Sequence, residues 1–161
     1  MSKIIIVKEV TEKAMAAESE RTENLIGHAE KLIAGIIVVT GFHLLDLPTL
    51  LASSSPLVKA LCYLALAALG VSVLFGFYSL RLKGHASYPR GDKLWENLKS
   101  DDVSEIVAEQ AVIQLLLKTR EQNARLNDAK AGSLLWCGWL FAAGFLSVIS
   151  SQLLYAITNT Q

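Results

Sequence analysis

Two sets of polar residues recur along this chain at helical spacing, each directly before a long apolar run. Arg21, Asn24, His28 and Lys31 form the first set. Arg120, Asn123, Asn127 and Lys130 form the second, with the same steps of three, four and three. On a helix each set falls within about 80° of circumference. Guanidinium, carboxamide and imidazole groups on one face suit phosphate oxygens and base edges. Arg21, Asn24, His28, Arg120, Asn123 and Asn127 are therefore the candidate ligand-binding residues, provided the two stripes face each other or a shared ligand. The plainer alternative is that these side chains face water. Lys31 and Lys130 suit a different task, as cationic anchors where a helix enters a membrane. The two sets align without a gap, as an old duplication would leave them.

Other chemistry finds little support. His28, His43 and His85 lie far apart and form no ligand set with cysteine or carboxylate. There is no phosphate-binding glycine loop, nucleophile elbow or zinc signature. No catalytic residue, metal or cofactor is expected, and an enzyme is disfavoured. His43 and Asp46, three apart, are suited either to relaying protons in a membrane or to lying at its outer interface; the interface is preferred. Cys62 and Cys137 both fall in apolar runs and read as small packing residues.

The elements that carry these residues follow from composition. Of 161 residues, 52% are hydrophobic, and the fifteen basic and fifteen acidic residues cancel. That balance gives no sign of nucleic-acid binding. The charges are distributed unevenly: Ala60 to Leu80 and Ala131 to Gln161 carry none. A membrane-crossing helix needs about 20 apolar residues, so both runs qualify. Residues 1–31 are polar and lack the pattern of a signal peptide. The expected fold is an all-α integral membrane protein with three transmembrane helices and a cytoplasmic helical module. The expected segments are an N-terminal arm and helix at 1–31, spans at 32–52, 60–80 and 133–157, and a basic loop with a long helix at 81–130. The first span is the least regular, because Asp46 and Pro48 precede "TLLASSSP"; a re-entrant hairpin is its alternative.

Orientation follows the lysines and arginines near the span ends. Arg81, Lys83, Arg90, Lys93 and Lys99 follow the second span, whereas the turn between spans one and two has only Lys59. The amino terminus and middle region are thus expected inside and the carboxyl end outside. Arg81 and Lys83 join Lys31 and Lys130 as interface anchors, with Tyr78 and Trp136 near the inner boundary and Tyr63 and Tyr155 near the outer one. Small residues at four-residue spacing, Ala68, Ser72 and Gly76 and then Ala143, Ser147 and Ser151, are expected to let helices approach closely. Three spans enclose no pore, so any channel-like activity requires several copies.

From Asp102 the pattern turns strongly helical. "DVSE" has the form of a capping box, and Val103, Ile106, Gln110, Ile113 and Leu117 mark an apolar face. With no glycine or proline before Gly132, one helix of about 55 residues, roughly 80 Å, is expected through the third span. Ile4 to Val7 form a β-branched run that suits a strand-like arm or a fraying end.

The layout also resembles a family, the transmembrane effectors of Pycsar antiphage systems. A polar helix ending "HAEKL" enters span one, "GHASY" (Gly84 to Tyr88) follows span two, and a helix ending "DAKAG" enters the last span. The family's Asp-x-Lys-Ala element stands before its first span. Here Asp128, Lys130 and Ala131 fit it before the last, and "AEKL" at Ala29 to Leu32 fits it loosely. The resemblance implies an inner-membrane, multi-pass homo-oligomer in contact with lipid. Such a protein senses a cyclic pyrimidine nucleotide such as cCMP or cUMP, disrupts the membrane and aborts infection. The alternative is a non-catalytic membrane anchor or regulatory subunit that holds a cytoplasmic protein partner.

Overall fold

A computed structural model describes residues 3–82 and 105–159. They form three helices, α1 (Lys3–Leu51), α2 (Pro56–Arg81) and α3 (Glu105–Asn159). No strand occurs among the described residues, and Ile4 to Val7 belong to the first turns of α1 rather than to an extended arm. The "DVSE" motif, Val103 and the basic loop from Lys83 onward lie outside the described residues. All three helices are long and apolar enough to cross a membrane.

Pro48 lies inside α1, three residues before its end. Its missing N–H leaves one helical carbonyl without its usual donor, and the helix stops at the next turn. Ala52 N–H still donates to the Pro48 carbonyl at 3.1 Å, and Ser53 N–H to Leu50 at 3.2 Å. Ser53 Oγ then accepts the Ser55 N–H at 3.2 Å. Pro56 opens α2, where a residue without an N–H loses nothing. "SSSP" is a turn between helices, and α1 runs through to Leu51 as a helix rather than folding back as a hairpin.

The chain forms two compact units, to both of which α1 and α3 contribute. One comprises residues 1–25 and 82–129, and the other residues 26–81 and 130–161. The second unit holds α2 entire. The buried positions of α2 are Val58, Cys62, Ala65, Leu69, Ser72, Gly76 and Ser79. Their alternating steps of four and three define the seam of a left-handed helical bundle. Ile36, Ala65, Leu69, Cys137 and Val148 form one apolar cluster, and Leu50, Val58 and Cys62 another. Ser72 Oγ donates to the Cys137 carbonyl at 2.7 Å, and Ser133 Oγ to the Phe75 carbonyl at 2.9 Å. Ser79 Oγ adds a longer contact of 3.5 Å to the Lys130 carbonyl. These three rungs run in opposite senses along the two helices, so α2 and α3 are antiparallel.

Polarity in this unit is turned inside out. Phe42, Leu45, Leu74, Trp139 and Leu146 are more than 60% exposed, whereas His43, Ser72, Lys130, Ser133 and Ser151 are buried. In water such an apolar exterior would drive association. In lipid it is the outward face that costs nothing, while polar groups are drawn inward to find partners.

One expected stripe differs in part from the seam observed. Ala143 is exposed, and Gly144 takes its place in the seam. Ala68 is only half-buried, whereas Ser72, Gly76, Ser147 and Ser151 are buried. On the first half of α3, Ile106 and Leu117 are exposed at 60% and 45%. The side buried there carries Leu116, Thr119, Asn123 and Asn127 instead. The periodicity of large apolar residues marks the outer side because the inner side is built mainly from small and polar ones.

Candidate functional site

In the unit formed by residues 1–25 and 82–129, the described parts of α1 and α3 pack through a polar seam. Thr11, Thr22, Thr119, Asn123 and Asn127 are buried there, and Leu116 is the large apolar residue among them. Asn127 is 1% exposed and uses its whole carboxamide. Its Nδ2 donates to the Glu18 carbonyl at 3.0 Å and to Glu18 Oε2 at 2.8 Å. Its Oδ1 lies 2.7 Å from the Thr22 hydroxyl, which also approaches the Glu18 carbonyl at 2.9 Å. The hydroxyl has one proton, so it serves one of these acceptors at a time. Such a network holds register well when every member is satisfied.

Outside the seam, Arg21 donates to Asp128 Oδ1 at 2.9 Å and lies 3.7 Å from Glu18 Oε2. The Arg21 and Asp128 side chains are 43% and 69% exposed. This is a surface ion pair, worth at most about 1 kcal/mol. Glu18 is the shared element, since it accepts from buried Asn127 on one side and neighbours exposed Arg21 on the other.

The six candidate ligand residues are therefore distributed over different surroundings. Asn123 and Asn127 are buried in the seam, whereas Arg21, Asn24 and Arg120 are exposed. His28 is exposed and belongs to the other unit, as do Lys31, also exposed, and Lys130. The α3 stripe thus turns inward at Asn123, Asn127 and Lys130. Asn24, His28 and Lys31 lie on the side of α1 away from the line of Thr22, Ala29 and Ile33, which is buried. What α1 offers to Asn127 is Glu18 and Thr22, a pair the stripe does not contain. Their signal was present as Glu18–Thr22–Ala29 at steps of four and seven, one heptad phase away.

In the unit formed by residues 26–81 and 130–161, Lys130 is 2% exposed, and its backbone carbonyl is the one that accepts from Ser79. Its polymethylene stem is packed, so it is more deeply held than an anchor lying on the surface. Arg81 is exposed at the end of α2. Lys83 lies outside the described residues. Cys62 and Cys137 are buried free thiols. Because Ser72 gives its proton to the Cys137 carbonyl, the 3.4 Å contact between Ser72 Oγ and Cys137 Sγ has the thiol as donor. His43 and Asp46 part company: His43 is wholly buried, and Asp46 is exposed, where its Oδ2 accepts from Gln152 Nε2 at 2.8 Å. Among the described residues no group of histidine, cysteine and carboxylate large enough to hold a metal ion occurs.

Compared with known proteins, the chain matches no family model, and no curated protein or solved structure is significantly similar to it.

Proposed function

We propose that this chain is a membrane effector of antiphage defence. It inserts in the inner membrane with its amino terminus and polar unit in the cytoplasm, oligomerises there, and breaks the membrane's integrity when a cyclic pyrimidine nucleotide reaches the polar unit. The observation that carries this reading is the change of character along α1 and α3. Each has a hydrogen-bonded polar seam in one unit, and an apolar exterior around buried serines, histidine and lysine in the other. The first arrangement suits water and the second suits lipid. The nucleotide is drawn from the likeness of "HAEKL", "GHASY" and "DAKAG" to the Pycsar effectors.

In this reading a phosphate competes with Asp128 for exposed Arg21, with Arg120 as a second cation on α3. Removing Arg21 from Asp128 and Glu18 loosens the Asn127 network that Glu18 shares. Because α1 and α3 continue unbroken into the apolar unit, a displacement of either helix passes along its own hydrogen-bond ladder. Three helices enclose no channel, so leakage requires several copies. The test is purified protein in liposomes loaded with a self-quenched dye, challenged separately with cCMP, cUMP and their linear monophosphates. Release on a cyclic pyrimidine nucleotide alone supports the reading; no release at any nucleotide or protein density refutes it.

A second reading has its own observation. Val10, Ile106, Val107 and Leu117 are between 45% and 61% exposed in the polar unit, and such a face suits a cytoplasmic protein partner. In that case the chain is a membrane anchor. Alanine at Ile106, Val107 and Leu117 would then release the partner from membranes without changing insertion.

A further inference from the structure

His43 is an anomaly within the apolar unit. Its side chain is completely buried, and neither ring nitrogen has a hydrogen-bond partner; the hydroxyl of Thr40, one turn earlier, is buried and unpartnered as well. A neutral imidazole always carries one donor and one acceptor. One helical turn therefore presents several unsatisfied polar valences to the interior, each costing about 1–3 kcal/mol if left so. The nearby serines do not answer them. Ser147 donates to the Ala143 carbonyl at 2.9 Å and Ser151 to the Val148 carbonyl at 2.7 Å, both within α3.

The level of His43 can be read from its neighbours. Gly76 closes against Ile33 near one end of the bundle, and Leu50 packs with Val58 and Cys62 near the other. Counting along the antiparallel helices puts His43 level with Ala65 to Leu69. Beyond it, toward the end of the bundle, a pocket of about 210 Å³ is lined by Asp46, Thr49, Leu50, Gln152 and Tyr155. Leu50 belongs both to that lining and to the buried cluster with Cys62, so it lies between the pocket and the buried seam.

We propose that His43 and Thr40 form an internal binding site for water, entered from the Asp46–Gln152 pocket past Leu50. A water there has the two to four polar partners it needs from the imidazole and the hydroxyl. Toward the other end, Ile36 and Cys137, beside the contact of Ile33 with Gly76, keep the seam dry. The site is thus the inner end of a hydrated half-path that the apolar layer beyond it closes, and it stands independently of the function proposed above.

The two native cysteines report on this directly. Methyl methanethiosulfonate is small and neutral, and it reacts with the thiolate, which forms only where a thiol meets water. The protein is placed in lipid nanodiscs without nucleotide, and modification of each cysteine is followed by peptide mass spectrometry. Cys62, which packs with Leu50 on the way in, should react at least about tenfold faster than Cys137 in the dry layer, the scale of one buried hydrogen bond gained or lost. His43→Leu and Thr40→Val should slow Cys62 by about tenfold and a few-fold respectively, while His43→Gln stays near wild type. Equal inertness of Cys62 and Cys137 in the wild-type protein overturns the proposal without any variant. So does an unchanged Cys62 rate in both folded His43→Leu and folded Thr40→Val. Hydration without nucleotide-triggered leakage would refute the proposed function and leave the site standing; leakage with a dry Cys62 would do the reverse.

Discussion

Gly144→Ala offers a quantitative test of the helix packing. A Cβ at this position would lie 2.8 Å from Leu69 Cγ, 2.9 Å from Leu69 Cδ2 and 3.3 Å from the Leu69 backbone nitrogen. The last atom can retreat only if α2 itself moves. Forcing a methyl group into such a contact costs about 1–3 kcal/mol. Against this stands the helix-propensity gain of alanine over glycine, about 0.8–1.0 kcal/mol. Gly138 lies on the same helix with nothing within 4 Å of the equivalent Cβ, so Gly138→Ala keeps the gain and meets no clash. The difference between the two variants cancels propensity and leaves the clash alone, about 1–3 kcal/mol in favour of Gly138→Ala. At this chain length each kcal/mol moves the midpoint by roughly 2–4 °C. Thermal unfolding followed by circular dichroism in nanodiscs should therefore place Gly144→Ala about 2–12 °C below Gly138→Ala. Gly76→Ala should fall between them, because the Cβ would meet only side-chain atoms, Ile33 Cγ1 at 2.7 Å and Cδ1 at 3.1 Å first. Coincident midpoints for Gly144→Ala and Gly138→Ala would refute the α2–α3 packing described here.

Other variants probe the polar groups. Asn127→Ala strands the Glu18 and Thr22 groups it serves and should cost about 1–3 kcal/mol in the same melts; a loss under 0.5 kcal/mol, roughly that of an ordinary surface change, would show the network to be slack. Arg21→Ala alone should cost no more than about 1 kcal/mol, since its ion pair with Asp128 is exposed, and a double-mutant cycle with Asp128→Ala measures that coupling. Combined Arg21→Ala and Arg120→Ala should abolish nucleotide-triggered leakage while membrane insertion persists; full leakage would leave both arginines as solvated charge.

Much of the secondary structure was legible because it rests on long-range composition. Charge-free runs marked the last two spans, "SSSP" marked the turn before α2, and the absence of glycine and proline before Gly132 foretold a continuous α3, found as Glu105–Asn159. The rotational phase of the helices was harder to read, and the reason is the solvent. In water the apolar side of a helix points inward, so hydropathy carries the phase. Where the exterior is as apolar as the interior, as at Phe42, Leu74 and Trp139, it carries none. The phase then resides in small and polar residues, which is why Ser72, Gly76, Ser147 and Ser151 are buried while Ala143 stands one residue from the seam at Gly144. On the first half of α3, in the polar unit, Ile106 and Leu117 lie on the exposed side, and Thr119, Asn123 and Asn127 form the packed side. His43 was assigned to the interface because a lone histidine beside an aspartate is at home there; burial separated the two, and nothing at their spacing announced it.

The most direct test of the proposed function is dye entry and membrane potential in bacteria expressing this protein, with and without intracellular cCMP or cUMP. Propidium entry and loss of potential within minutes of the cyclic nucleotide's appearance, absent in the Arg21→Ala and Arg120→Ala double variant, is the predicted result. Intact potential and dye exclusion at every nucleotide level, with the protein shown to be in the membrane, would contradict it and leave the anchor reading.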